Sequence, residues 1–323
     1  MNTSLSFLGL RVCVLTVCFL ASGGCTGDRG PTDGTAVIDG VQTLGAAGRG
    51  DGGLHEPRGI EALPDASCLV IDRTGRIQHF DRDGSVERVW WLAEWANGQP
   101  IDLTCTPWNT VLIPDTHYAR ILEYDLAGQE VRRFGADLKM GLVRGVTVGH
   151  DETIYVADYA NDDRVHRFRR DGEYIGSFGV SGEGPGEFIR PEGLATGASG
   201  DIYVVDCGNH RVQRFSPDGQ FVATFGQPGE DPGSFLFPFD IAPGSDDTLY
   251  VVDYRGNRVQ RFRADGTFLG AAGTAGREPG EFATPRGVAV LPSARGDRIY
   301  VADTNNHRVQ TFVWRYDNSG QRR

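Results

Sequence analysis

The chain of 323 residues carries 43 Asp and Glu against 32 Lys and Arg, a formal charge of −11. Removing residues 1–25 takes away only Arg11 and moves the charge to −12, a field that disfavours nucleic acid and other polyanionic partners. The length alone would admit two domains, but no linker-like stretch divides the body of the chain.

In chain order, residues 1–25 read as an export segment. Arg11 precedes the apolar run Val12 to Leu20, too short to span a bilayer, and small residues from Ala21 to Gly24 lead to Cys25. Small residues before a cysteine resemble a bacterial lipoprotein signal in which Cys25 becomes the lipidated first residue, although Ser22 stands where leucine is usual. Ordinary secretion without a role for Cys25 is the alternative. The expectation is an exported protein of the cell envelope, touching a membrane only through a lipid anchor. Residues 26–32 would be a short tether. The stretch Asp33 to Gly45 then reads like an outer strand, yet precedes any inner one.

From Pro57 onward the chain repeats itself. An aspartate closing an apolar run recurs as Asp72, Asp115, Asp158, Asp206, Asp253 and Asp303, at spacings of 43, 43, 48, 47 and 50 residues. This period fits a four-stranded propeller blade. Each unit opens on a Pro-x-Gly or similar lead-in, such as Pro57-Arg-Gly59 or Pro238-Phe-Asp240, followed by a short run of small and β-branched residues. A second run such as Ile202-Tyr-Val-Val-Asp206 leads through a loop to a third, Arg211-Val-Gln-Arg-Phe215, with strict alternation. Asp-Gly pairs at Asp83, Asp171, Asp218 and Asp265 predict hairpin turns into a fourth, outer strand. The last unit lacks that strand, and the stretch near Asp33 supplies it. One blade therefore combines both chain ends and removes the free sheet edges.

The Pro-x-Gly, Tyr-Val-x-Asp and Asn-x-Arg-Val-x-x-Phe blocks resemble those of the NHL-repeat six-bladed β-propellers over roughly residues 33–313, with 314–323 a polar C-terminal tail. The resemblance implies an all-β, six-bladed propeller of NHL repeats whose sixth blade is closed by the N-terminal strand. Units one and two depart from the pattern: Asp72 to Arg76 is one residue short, and Asp115 to Arg120 lacks the asparagine.

Such propellers place the lead-ins and the loops between second and third strands on one face, with the lead-ins nearest the central channel. The middle residues of the lead-ins then bring Arg58, Arg144, Arg286 and Glu192 to the channel mouth, beside Ile101 and Phe239. Three guanidiniums suit a carboxylate or phosphate; alternatively they pair with glutamates and brace loops. The Asp-x4-Arg pairs repeat around the ring, whereas an active site needs unlike groups on one point, so these pairs read as structural. Trp90, Trp91, Trp95 and Trp108 do not repeat; Trp95 is a candidate stacking residue on the ligand-side loops, with packing between irregular blades the alternative. Cys68 and Cys105 lie in neighbouring blades; buried free thiols are favoured over a bridge.

Peptidyl-amidoglycolate lyases are similar in fold and bind zinc through histidines that include Pro-His lead-ins. No lead-in here is Pro-His, and His117, His210 and His307 fall in loops away from the axis, so no metal and no cofactor are expected. Asp158 to Asp163 lacks the glycine and distal glutamate of a calcium loop and reads as a solvated turn. The favoured function is a monomeric, non-catalytic binding or scaffold propeller taking a protein, peptide or glycan on its top face. A propeller enzyme of the lyase or lactonase kind is the alternative. Recognition beside a RING domain, as in some ubiquitin ligases, is disfavoured because no paired Cys/His framework is present.

Overall fold

The computed structural model of the protein describes residues 37–94, 100–293 and 296–315. They form six four-stranded antiparallel sheets. Five are contiguous in sequence; blade 4, for example, runs Pro191–Thr196, Ile202–Asp206, Arg211–Phe215 and Phe221–Phe225 from the inside outward. Blade 6 takes Val288–Leu291, Asp297–Asp303 and Arg308–Arg315 from the C-terminal end and its outer strand, Val37–Leu44, from the N-terminal end. That pairing is antiparallel, from Val37 opposite Arg315 to Leu44 opposite Val309. The last strand thus runs two residues past the expected edge at 313, because Trp314 is 3 % exposed and packs edge-on against Tyr250 of blade 5. Because each strand reverses its neighbour, the lead-ins and second-to-third loops share one face, the top. Residues 37 and 315 lie at the opposite face.

The blades pack through their repeated letters. Second-strand residues such as Val204, Val251 and Val301 are fully buried, as are third-strand Phe215, Phe262 and Phe312, and they form the interblade core. The tyrosine of Tyr-Val-x-Asp has a further task. Tyr155 donates to the Pro217 carbonyl (2.7 Å), Tyr203 to Ala264 (3.3 Å), Tyr250 to the Asp297 carboxylate (2.8 Å) and Tyr300 to Ala66 (2.8 Å), in each case on the next blade. Tyr300 joins blade 6 to blade 1 and so fastens the ring where the chain is discontinuous. Tyr300→Phe leaves a half-buried carbonyl without its donor and is expected to lower stability by about 1 kcal/mol in chemical denaturation, with unchanged m.

The anchor aspartates are braces. Asp206 accepts from the Ile189 amide (2.8 Å), Asn209 Nδ2 (2.9 Å), Arg211 Nε (2.7 Å) and Gln213 Nε2 (3.0 Å). Asp303 repeats the set with Ala283, Asn306, Arg308 and Gln310. The Asp-Gly turns differ from a tight two-residue hairpin. Only the glycine takes positive φ (Gly219, 91°), and the ladder slips beside the turn, between Arg214 and Phe215. That is a longer loop closed by a bulge, which directs the outer strand as effectively. Cys68, Cys105 and Cys207 are free thiols. No helix among the described residues is long and apolar enough to cross a membrane.

Candidate functional site

The six lead-ins meet around the channel. Their third letter is glycine in blades 1, 3, 4 and 6, because each crowds the neighbouring blade: a Cβ on Gly145 would sit 2.3 Å from the Glu192 carbonyl, and one on Gly287 would sit 2.3 Å from the Arg58 carbonyl. In blades 2 and 5, opposite one another in the ring, the letter is aspartate. Asp102 Oδ2 accepts from the Val146 amide of blade 3 (3.0 Å), and Asp240 Oδ2 from the Val288 amide of blade 6 (2.9 Å).

Arg58, Arg144, Glu192 and Arg286 do come together at the mouth, and Arg190 joins them. Arg58 has a side chain 6 % exposed, makes no hydrogen bond to a described residue, and finds its nearest carboxylate, Glu56, only at 3.8 Å. Burial draws its guanidinium down to about 10; the positive charges of Arg286, Arg73 and Arg144 act in the same direction, against Glu56. Arg286 has no ion-pair partner among the described residues and lies over the rings of Phe239 (5.2 Å) and Tyr254 (5.3 Å). Arg144 bonds the Tyr159 hydroxyl and stands 3.8 Å from Glu192, whose other oxygen takes Arg190 Nε at 2.5 Å. Bracing therefore accounts for much of Arg144 and Arg190, and for neither Arg58 nor Arg286. For Arg286, aromatic rings hold the guanidinium in place by cation–π contact, which leaves its terminal N–H groups for a ligand.

Below this collar the channel opens into a cavity of about 790 Å³ reaching the bottom face, with Glu61, Asp102 and Asp240 in its wall. Burial lifts Glu61 to about 7, against hydrogen bonds from Thr104 and Cys105, and lifts Asp240 to about 7; Asp102 is raised by burial and by the facing Asp240. The folded protein therefore holds protons that the unfolded chain has released above the ordinary carboxylate range. Stability from this source is present at low pH and lost as pH rises through about 7. Glu61→Gln should melt like the wild type near pH 5 and more stably near pH 8.5. A gain of roughly 1–3 kcal/mol is expected at about 1.4 kcal/mol per tenfold change in proton affinity, less screening by channel water.

Trp95 and Cys25 lie outside the described residues. Of the other tryptophans, Trp90 is buried between blades 1 and 2, and Trp91 is half exposed against Arg76. Trp108 is not on the ligand side: it sits in the turn from first to second strand, hence on the bottom face, donating to Glu123 (2.7 Å) under Arg170. Two of the three loop histidines belong to the joints between blades: His210 packs edge-on against Phe237, and His307 Nδ1 accepts from the Glu56 amide (3.1 Å) with its backbone in the left-handed region, φ 53°, whereas His117 is exposed. Asp163 likewise accepts from the Arg190 amide (3.3 Å). Among the described residues no group of three or more His, Cys, Asp or Glu is placed to hold a metal ion.

Reading the lead-ins by their middle letter alone missed Asp102, Asp240 and Arg190. The available signal was the exchange of glycine for aspartate in two lead-ins three blades apart.

The NHL repeat family matches residues 188–215 and 282–312, the regions of blades 4 and 6. No curated protein matches the chain in sequence. Among solved structures, the chain resembles a protein of unknown function from Bacteroides thetaiotaomicron (TM-score 0.66, 18 % identity, covering 84 % of this chain and 75 % of that one). It also resembles a gluconolactonase from Xanthomonas campestris (0.63, 15 %, 86 % and 90 %) and the virginiamycin B lyase of Staphylococcus aureus (0.61, 14 %, 85 % and 99 %). At such identity the likeness carries the fold and not the chemistry of those proteins.

Proposed function

The chain is an NHL-repeat six-bladed β-propeller, and from that premise we propose that it is a non-catalytic binding module, which receives an acidic group of a protein, peptide or glycan in the arginine collar on its top face. The observation that carries this reading is the state of Arg58 and Arg286: two guanidiniums at the channel mouth without hydrogen-bonded partners among the described residues, on a protein whose net charge is −11. Excess acid elsewhere makes the collar an isolated positive focus, so it selects a single acidic group and not a polyanion. Display from the cell envelope through a lipid on Cys25 belongs to the same proposal. Cys25→Ser should then abolish partition into detergent, and an unmodified N-terminus downstream of Cys25 would remove that part.

Calorimetric titration with sulfate and with peptides bearing a free C-terminal carboxylate tests the collar. Replacing Arg144 and Arg286 together by alanine is expected to weaken binding by at least about tenfold, at roughly 1.5–3 kcal/mol per charged hydrogen bond, with melting preserved. Arg263, exposed on the third strand of blade 5, is the control; Arg132 is unsuitable because it neutralises the buried Glu123 at 2.5 Å. Equal affinity of the double variant places the ligand elsewhere.

A further inference from the structure

The collar stands on the two aspartates below it. Asp102 clamps the amide of Val146, two residues beyond Arg144, and Asp240 clamps the amide of Val288, two residues beyond Arg286. Each also accepts from the amide that follows it, Leu103 or Ile241, both at 2.8 Å. An aspartate of one blade thus sets the lead-in of the next, and the two lead-ins so held are the arginine-bearing ones of blades 3 and 6. Blade 5 supplies a second tie, since Phe239, beside Asp240, is a ring under Arg286 and under Arg190 (5.7 Å).

We propose that Asp102 and Asp240 are the positioning residues of the arginine collar, and that the charge they carry sets how tightly the collar holds an anion. This rests on the collar being the binding site. The clamp needs only a carboxyl oxygen as acceptor, so it persists when either residue is protonated, while the negative charge beneath the bound anion disappears. The charged groups facing the pair are Glu61 from blade 1, which raises Asp240's and Asp102's burden of negative charge, and Glu192 from blade 4, which faces Asp240 and is itself held by Arg190 and Arg144. No basic group figures among the principal influences on either aspartate. A bound anion and the ionised pair therefore disfavour one another, and by reciprocity anion binding favours their protonation.

The test is sulfate affinity, because sulfate keeps its charge across the range. In the full-length protein, affinity should rise about tenfold from near pH 8.5 to near pH 5.5, a coupling of ordinary size. Asp102→Asn with Asp240→Asn keeps one acceptor oxygen for each interblade amide and should bind more tightly than the wild type at high pH, with a much flatter profile whose remaining slope belongs to Glu61. Asp102→Ala with Asp240→Ala should bind weakly at every pH, and the asparagine variant should restore it. Folding is checked by circular dichroism, and the single Asp102→Asn variant, expected to halve the pH effect, serves if a double variant does not fold. A wild-type pH profile retained in the asparagine variants overturns the charge assignment, and equal binding by the alanine and asparagine variants overturns the positioning role. Absence of sulfate binding by the wild type at any pH overturns the collar itself, and this inference with it.

Discussion

A chain beginning at Gly48 is expected to aggregate or to lose most of its stability. The missing segment carries the whole outer strand of blade 6, six of whose eight residues pair with the strand Arg308–Arg315 across a bulge at Gly40 and Val41. Leu44, 5 % exposed, packs with Leu54 and Ile60 of the next blade, and Ile38 and Val41 rest on the core of blades 5 and 6. Burying one such leucine contributes roughly 1.5–3 kcal/mol, so these apolar contacts alone approach the 5–15 kcal/mol of a whole domain. The truncation also uncovers a strand edge that offers pairing to another chain. Size-exclusion chromatography and thermal melting decide: a monomer with unchanged melting would refute closure by the N-terminal strand.

The second large effect is expected at Asp206. This carboxylate is fully buried, and burial raises it above the ordinary range although Asn209, the Ile189 amide and Arg211 oppose the rise. Asp206→Ala removes the acceptor from four donors at once and leaves the Arg211 guanidinium facing no carboxylate. Breaking a buried pair from one side costs about 3–5 kcal/mol, and Asp206→Asn should recover part of it by keeping an oxygen. Equilibrium denaturation reads the loss. Because the same brace recurs at Asp303, a matching cost for Asp303→Ala marks the Asp-x4-Arg pairs as structural, whereas loss of anion binding with intact stability would not.

These two cases show why the fold was legible in the sequence and the site only half so. Structure here is written in repeated letters. The anchor aspartate, the Tyr-Val run, the Asp-Gly turn and the outer strand stranded at Asp33 each recur or conspicuously fail to recur, and period alone places them. The collar is written in exceptions. Arg58, Arg144 and Arg286 could be assigned to the mouth because they occupy a repeated slot. Their state could not: whether a guanidinium is braced depends on partners from other blades, such as Glu192 for Arg144 and Phe239 for Arg286. Asp102 and Asp240 occupy a slot that the other four blades fill with a crowded glycine, and their role becomes visible only when the amides of the following blades are in view. The face that Trp108 occupies is likewise hidden in the sequence, because the inner strand of blade 2 is only Thr104–Cys105 and barely marks the turn that follows it.

The closure has a mechanical side. Val37 and Arg315 form the terminal rung of their ladder, on the face opposite the collar, and both chain ends leave there. Were Cys25 acylated, the 26–36 segment would let the propeller stand no more than about 40 Å off the bilayer, collar outward. Tension on that leash would reach the ring at a single rung and peel Val37–Leu44 from Arg308–Arg315 one hydrogen-bonded pair after another, instead of loading the whole strand in shear. The leash would thus be a zipper pull: a steady pull would open the closed ring at the seam where its two ends meet.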